Sequence, residues 1–148
     1  MAAMLDQRVA DALELQSQAK HAHWNAKGPS FYALHLLYDS LADTLGTHAD
    51  ALAERIAALG GTAHGTRRMT SKATTLPAIG SDDHAETDYL EALVPSFALH
   101  ARSVSDSAAQ AEEAGDRGTA DLLTGQVREL DQALFLLEAH LRSAPRET

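Results

Sequence analysis

One histidine and three carboxylates form two pairs, each spaced four residues apart, within FYALHLLYDSLADTLGTHADALAERIAAL, residues 31–59: His35 with Asp39, and Asp50 with Glu54. The segment lacks Pro, contains a single Gly, and is dominated by Leu, Ala, Asp, Glu and Arg, so it predicts one long helix. At about 100° per residue, the four side chains fall within an arc of about 100° on one face. His35 is predicted to touch Asp39, and Asp50 to touch Glu54. Imidazole and carboxylate donors in such a stripe suit a hard or borderline divalent metal ion. A solvated helical face is the ordinary explanation for a row of acids. Here no basic residue stands one turn away to neutralise the row until the helix end, and like charges at that spacing are mildly destabilising. Asp43 lies on the same stripe one turn beyond Asp39, either extending a metal site, guiding cations inward, or serving as a plain interface carboxylate.

The two pairs cannot share an ion within one chain. Asp39 and Asp50 are separated by roughly 16 Å along the axis at ~1.5 Å per residue, whereas metal–ligand bonds are only about 2.0–2.3 Å. A second copy of the helix packed antiparallel about a two-fold axis would lay one pair over the other. The midpoint falls near Thr44 and Leu45, and Gly46 beside it is expected to let two backbones approach. An isologous contact of this kind makes two equivalent sites, each with His35 and Asp39 from one chain and Asp50 and Glu54 from the other.

Other helices must hold this one in place. A first amphipathic helix is predicted over about residues 4–25, with Leu5, Val9, Ala12 and Leu13 inward. Lys27-Gly28-Pro29-Ser30 ends it, Gly as a C-cap and Pro as a block, and Ser30 can cap the helix that follows over residues 30–59. In an antiparallel hairpin His23 comes close to His35 and Asp39, making it a further candidate ligand, while His21 lies about 200° away on the helix and faces elsewhere. Leu36, Leu37, Leu41, Leu45, Leu52, Ile56 and Leu59 form the expected apolar stripe of the long helix. Residues 62–83, rich in Thr, Gly and Ser, form a long crossover with a short helix predicted near Arg67 to Thr74. A third helix is predicted over 82–114, with Tyr89, Leu90, Leu93, Phe97, Leu99 and Val104 inward and a kink at Pro95. A fourth is predicted over 117–142 with Leu122, Leu123, Val127, Leu130, Leu134, Leu137 and Leu141 inward. The class is an all-α four-helix bundle, and the whole chain, 1–148, is expected to form one domain.

Composition narrows the chemistry. The formal charge of −9 suits a protein that attracts cations and argues against a generally basic nucleic-acid binder. The absence of cysteine removes disulfides, thiolate metal sites, iron–sulfur clusters and Cys nucleophiles. The N-terminal MAAMLDQRVADALEL has no basic or apolar leader region, and no run approaches a membrane span, so a cytoplasmic location is expected. His48, His64, His84, His100 and His140 show no ligand spacing and are read as structural or solvated.

Lys20-His21-Ala22-His23-Trp24-Asn25, Gly28, Phe31, His35, Asp39, Asp50, Ala53-Glu54-Arg55 and Gly60-Gly61 resemble the Dps-type mini-ferritins. The later Thr119-Ala120-Asp121-Leu122-Leu123 and Arg128-Glu129-Leu130-Asp131 look like the last helix of that family. The likeness covers nearly the whole chain, and its His-x11-His-x3-Asp-x10-Asp-x3-Glu spacing is far more specific than a lone motif. It implies a ferritin-like bundle assembled into a hollow dodecamer, with a ferroxidase centre at the two-fold interface. His23, His35 and Asp39 would come from one subunit, Asp50 and Glu54 from its mate. It implies oxidation of Fe(II) to Fe(III) by hydrogen peroxide, dioxygen being a poorer oxidant, with storage of ferric oxide-hydroxide, protection against oxidative damage, and zinc as a competing metal. Trp24 is implied as an electron donor that quenches radicals; packing at a subunit interface would explain it equally. Asp121 matches a position lining the family's three-fold iron channel, and an acid favoured in a first helical turn explains it as well. No Glu here is followed three residues on by His, which sets the chain apart from ferritins that build a di-iron site within one subunit. The alternative is a nucleoid DNA-binding protein. Many of these proteins hold DNA with a Lys/Arg-rich tail, but this chain offers only Arg142 and Arg146 at its end and Arg67, Arg68 and Lys72 in the crossover.

Overall fold

A computed structural model describes residues 1–80 and 87–142. Among the described residues five helices stand in the order α1 (Ala2–Asn25), α2 (Phe31–Ala58), α3 (Arg67–Ala73), α4 (Asp88–Glu113) and α5 (Arg117–Arg142). No strand occurs among the described residues. Asp82, Asp83 and His84 lie outside the described residues, and α4 begins at Asp88 behind Thr87.

The long helices pack in the cyclic order α1, α2, α5, α4. Residues 26–30 return the chain antiparallel along α1. The Arg55 and His48 contacts with Asp116 and Glu129 show that α5 runs antiparallel to α2. The short α4–α5 link makes those two antiparallel as well, so α4 runs parallel to α2. The crossover therefore has to carry the chain back along the bundle, and α3 packs on α1 within it.

Local chemistry sets the helix ends. Ala26 is the C-cap of α1, and Gly28, with φ 93°, turns the chain two residues later. Ser30 occupies the N-cap position of α2 but makes no side-chain capping bond. At the other end of α2, Gly60 adopts φ 83° and donates to the Ala57 carbonyl, while Gly61 donates to Ile56. This paired arrangement satisfies the last carbonyls and needs a residue that tolerates the left-handed region. Thr66 caps α3. Asp116 heads α5, its Oδ1 accepting from Thr119 N–H at 3.1 Å.

The core lies between the four long helices, with Tyr38 and Phe97 its largest fully buried side chains. On α2, Leu34, Tyr38, Leu41, Leu45, Leu52 and Ile56 face inward. Leu36, Leu59 and Leu99, expected inside, are 49%, 41% and 38% exposed. Leu36 points about 140° from Leu41 on the helix wheel, and Leu59 is the C-cap residue beyond the last helical turn. Helix α4 continues through Pro95. Within the chain, a Cβ at Gly46 would sit 2.6 Å from Gln16 Nε2, so this glycine leaves room for the end of that side chain from α1. Polar groups also enter the interior. Asp11 is 1% exposed and accepts from Thr74 Oγ1 at 2.9 Å and Thr75 N–H at 2.8 Å, fastening the crossover to α1.

Candidate metal centre

The α1–α2 hairpin brings His23, at the last turn of α1, over His35, at the first turns of α2. Their rings stack at a centroid separation of 3.8 Å and an interplanar angle of 16°, with Phe31 beyond His35 at 5.1 Å. Each ring is oriented by the other residue's backbone. His23 Nδ1 donates to the His35 carbonyl at 2.7 Å, and His35 Nδ1 donates to the His23 carbonyl at 2.9 Å. A carbonyl can only accept, so the proton sits on Nδ1 in both rings, and in the neutral imidazoles both Nε2 atoms keep a lone pair. Fixing a ring through its other nitrogen is how proteins prepare a histidine for a metal ion.

Asp39 stands beside His23. Its Oδ1 lies 3.9 Å from His23 Nε2. Rather than hydrogen-bonding His35 one turn away, as the i,i+4 spacing suggests, the carboxylate accepts from the Lys20 ammonium of α1. The acidic stripe thus has a neutralising cation, supplied by the neighbouring helix. The hydrogen bond to Lys20 is the main reason the Asp39 carboxyl is held below the ordinary carboxylate range, and the same bond raises the Lys20 ammonium above lysine's usual value. Sequence spacing missed this role of Lys20, and the one signal for it is that Lys20 precedes His23 by three residues and shares its helical face.

Asp50 and Glu54 are exposed, further along α2, and Asp43 is exposed between the two groups. Among the described residues, no three His, Asp or Glu side chains converge closely enough to hold a metal ion. One chain therefore presents two prepared imidazoles and one carboxylate at one end of a face, and two open carboxylates at the other. Trp24, adjacent to His23, is 70% exposed, as is Tyr32.

The remaining candidates separate clearly. Asp121 is exposed in the second turn of α5, where Asp116 already caps the helix, so first-turn preference does not explain it. His48 is buried, with Nε2 2.6 Å from Glu129 Oε2. His64 pairs with Asp6 at 2.8 Å, and His21 packs edge-on to Tyr89 at 5.8 Å, away from the stacked pair. His100 is wholly buried in α4, and neither ring nitrogen has a hydrogen-bond partner among the described residues. Burial pushes its pKa down to about 4. Sequence spacing also missed the clamp between the far ends of α2 and α5, where Arg55 donates to Thr119 Oγ1 at 2.9 Å and Asp116 Oδ1 at 2.8 Å.

A four-helix bundle with a long crossover and a histidine–carboxylate face defines a class that comparison with known proteins makes specific. The ferritin-like domain family matches residues 2–146, and the chain belongs to it. A DNA protection during starvation protein of Agrobacterium fabrum is 39% identical over 139 residues, covering 94% of this chain and 86% of that protein. DpsC from Streptomyces coelicolor superposes with a TM-score of 0.92 at 32% identity, covering 99% of this chain and 86% of its own. Dps from Thermosynechococcus elongatus gives 0.90 at 28% identity, covering 99% and 91%. Within the ferritin-like class, this chain is a Dps-type mini-ferritin. A further similar structure, a Vibrio cholerae protein at 26% identity and TM-score 0.88, covering 95% of this chain and 87% of its own, is described as a member of a broad superfamily of ferritin-like diiron-carboxylate proteins.

Proposed function

We propose that this chain is a ferroxidase and iron store whose reaction sites are shared between two copies. His23, His35 and Asp39 of one copy and Asp50 and Glu54 of a second would bind Fe(II), which is substrate and cargo here rather than a resident cofactor. Carboxylate oxygens stabilise Fe(III) more than Fe(II) because charge rises on oxidation, and so favour electron loss. Hydrogen peroxide accepts two electrons, one from each of two Fe(II) ions, giving two Fe(III) and two hydroxides. That stoichiometry consumes peroxide and ferrous iron together without releasing a hydroxyl radical, hence the protective role. The ferric product would be stored as oxide-hydroxide inside a closed homo-oligomer, a dodecamer by the family resemblance, acting in the cytoplasm. Exposed Trp24 beside His23 would donate an electron to stray radicals, and exposed Asp121 would draw cations toward the interior.

One observation carries this reading: two stacked imidazoles, each fixed through Nδ1 by the other's backbone, leave Nε2 open, and His23 Nε2 stands 3.9 Å from the Asp39 carboxylate. The test is Fe(II) oxidation by hydrogen peroxide and by dioxygen, comparing the native chain with His35→Ala and Asp50→Ala. Both substitutions should cost at least roughly tenfold in initial rate, by analogy with losses from disturbed metal shells. Native rates in both variants would end the reading.

DNA protection is a second reading, favoured by the exposed Arg67, Arg68 and Lys72 on α3 and opposed by the net charge of −9. DNA retention in a gel at low salt that disappears as salt rises would support it. Arg146 lies outside the described residues, and Arg142 is engaged with Glu138 at 3.5 Å.

A further inference from the structure

Asp39 is the carboxylate nearest the stacked histidines, and its Oδ1 is already occupied. The Lys20 ammonium donates to that oxygen, the same one that stands 3.9 Å from His23 Nε2. Lys20 lies one turn before His23 on α1, so the backbone that presents the imidazole also presents the ammonium. The two side chains are 37% and 38% exposed. A pair so open is weak enough to be parted by a stronger cation, yet it still has to be parted. Asp43 also acts electrostatically on Lys20.

We propose that Lys20 is a built-in competitor for the shared metal site, holding Asp39 in the metal-free protein and lowering the affinity with which a divalent ion is taken up there. The proposal rests on the shared-site reading above. An incoming ion must either use Oδ2 of Asp39 alone or displace the ammonium from Oδ1. After displacement the positive charge remains tethered by a four-carbon stem and continues to repel the ion. The same charge offsets the repulsion that arises when Asp50 and Glu54 of a second copy are brought against Asp39. Lys20 thus makes uptake reversible where an uncompensated cluster of carboxylates would hold its ion more firmly. A role confined to orienting Asp39 has the opposite consequence, because losing Lys20 would then loosen the site.

The sign of the change is therefore diagnostic. Zn(II), which is redox-inert, is titrated calorimetrically into the assembled wild-type protein, Lys20→Met, Lys20→Gln and Lys20→Arg, each also combined with His35→Ala. Circular dichroism verifies helix content, and because Lys20 is surface-accessible the two neutral replacements check each other. Lys20→Met and Lys20→Gln should bind Zn(II) roughly three- to tenfold more tightly, a range set by the modest strength of an exposed ion pair plus the removal of a nearby like charge. Lys20→Arg, which keeps the charge, should stay near wild type, and His35→Ala should abolish binding in every background. Unchanged or weaker binding in both neutral variants, with His35 dependence intact, overturns the role of Lys20 and leaves the shared site standing. Absence of any His35-dependent binding overturns both.

Discussion

A mixture of two inactive variants gives the sharpest test of a shared site. His35→Ala disables the imidazole end of α2 and Asp50→Ala the far carboxylate end. With roughly 16 Å between Asp39 and Asp50 along the helix axis and metal bonds near 2 Å, no single chain can repair both ends. In a two-fold pair made of one chain of each kind, one site receives both lesions and the other receives neither. If the variants are unfolded together, mixed in equal amounts and reassembled at random, about half the pairs are mixed and each holds one whole site, so about a quarter of native sites return. The assay is initial Fe(II) oxidation by peroxide, followed by ferric absorbance at fixed protein concentration, with mass spectrometry confirming mixed oligomers. Each variant alone should be nearly inactive, and the mixture should approach a quarter of the native rate. Verified mixed oligomers no more active than the separate variants would refute a site divided between chains.

Three other outcomes follow from the interior. His100 has a pKa of about 4 in the folded protein against an ordinary 6.5, so between those values the unfolded chain binds a proton that the native chain does not. Stability from this group is complete above pH 6.5 and falls as pH drops toward 4, by on the order of 3 kcal/mol in total. His100→Leu should flatten that part of the pH–melting curve at constant protein concentration, and parallel curves for both proteins would contradict this account. Asp11→Ala strips the acceptor from Thr74 Oγ1 and Thr75 N–H and should cost about 2–3 kcal/mol, with faster amide exchange in residues 74–76 than in α2 as the local signature. Leu52 is fully buried on α2. Leu52→Ala should destabilise by about 2–5 kcal/mol in denaturant melts, and a loss under 1 kcal/mol would mean that the core is not packed as described.

The bundle was legible because each long helix repeats its apolar residues at helical spacing and is punctuated by residues that stop it. Gly60-Gly61 closes α2 through two backbone bonds that the glycine conformation permits, and the basic stretch after Thr66 folds into the short α3. Inward and outward were read less well where hydrophobicity alone was the guide: Leu36, Leu59 and Leu99 are exposed, and the spacing did not say which histidines are buried. The one-dimensional pattern also gave no account of contacts between helices. Helix spacing makes His35 and Asp39 neighbours, yet His35 answers to the His23 carbonyl and Asp39 to Lys20, both on α1. Arg55 reads as a helix-ending cation until α5 brings Asp116 and Thr119 against it. Such partners are set by the packing of distant segments, and periodicity within one segment does not encode them.

The division of donors between the two ends of α2 has an electrostatic logic. A lone chain that gathered His23, His35, Asp39, Asp50 and Glu54 around one point would have to hold several carboxylates together without a cation, at a cost that grows as water is excluded. Here the carboxylates at the far end stay exposed, and the one beside the imidazoles is matched by Lys20. On the proposed shared site, each copy has its rings already oriented, and the unfavourable gathering of acids would be deferred until a second copy arrives and an ion can compensate it. Assembly and metal uptake would then be linked, since each would lower the cost of the other. At fixed chain concentration, added Zn(II) should accordingly shift dimer dissociation to higher denaturant in the native protein but not in Asp50→Ala. An equal shift in both would show that the metal acts elsewhere.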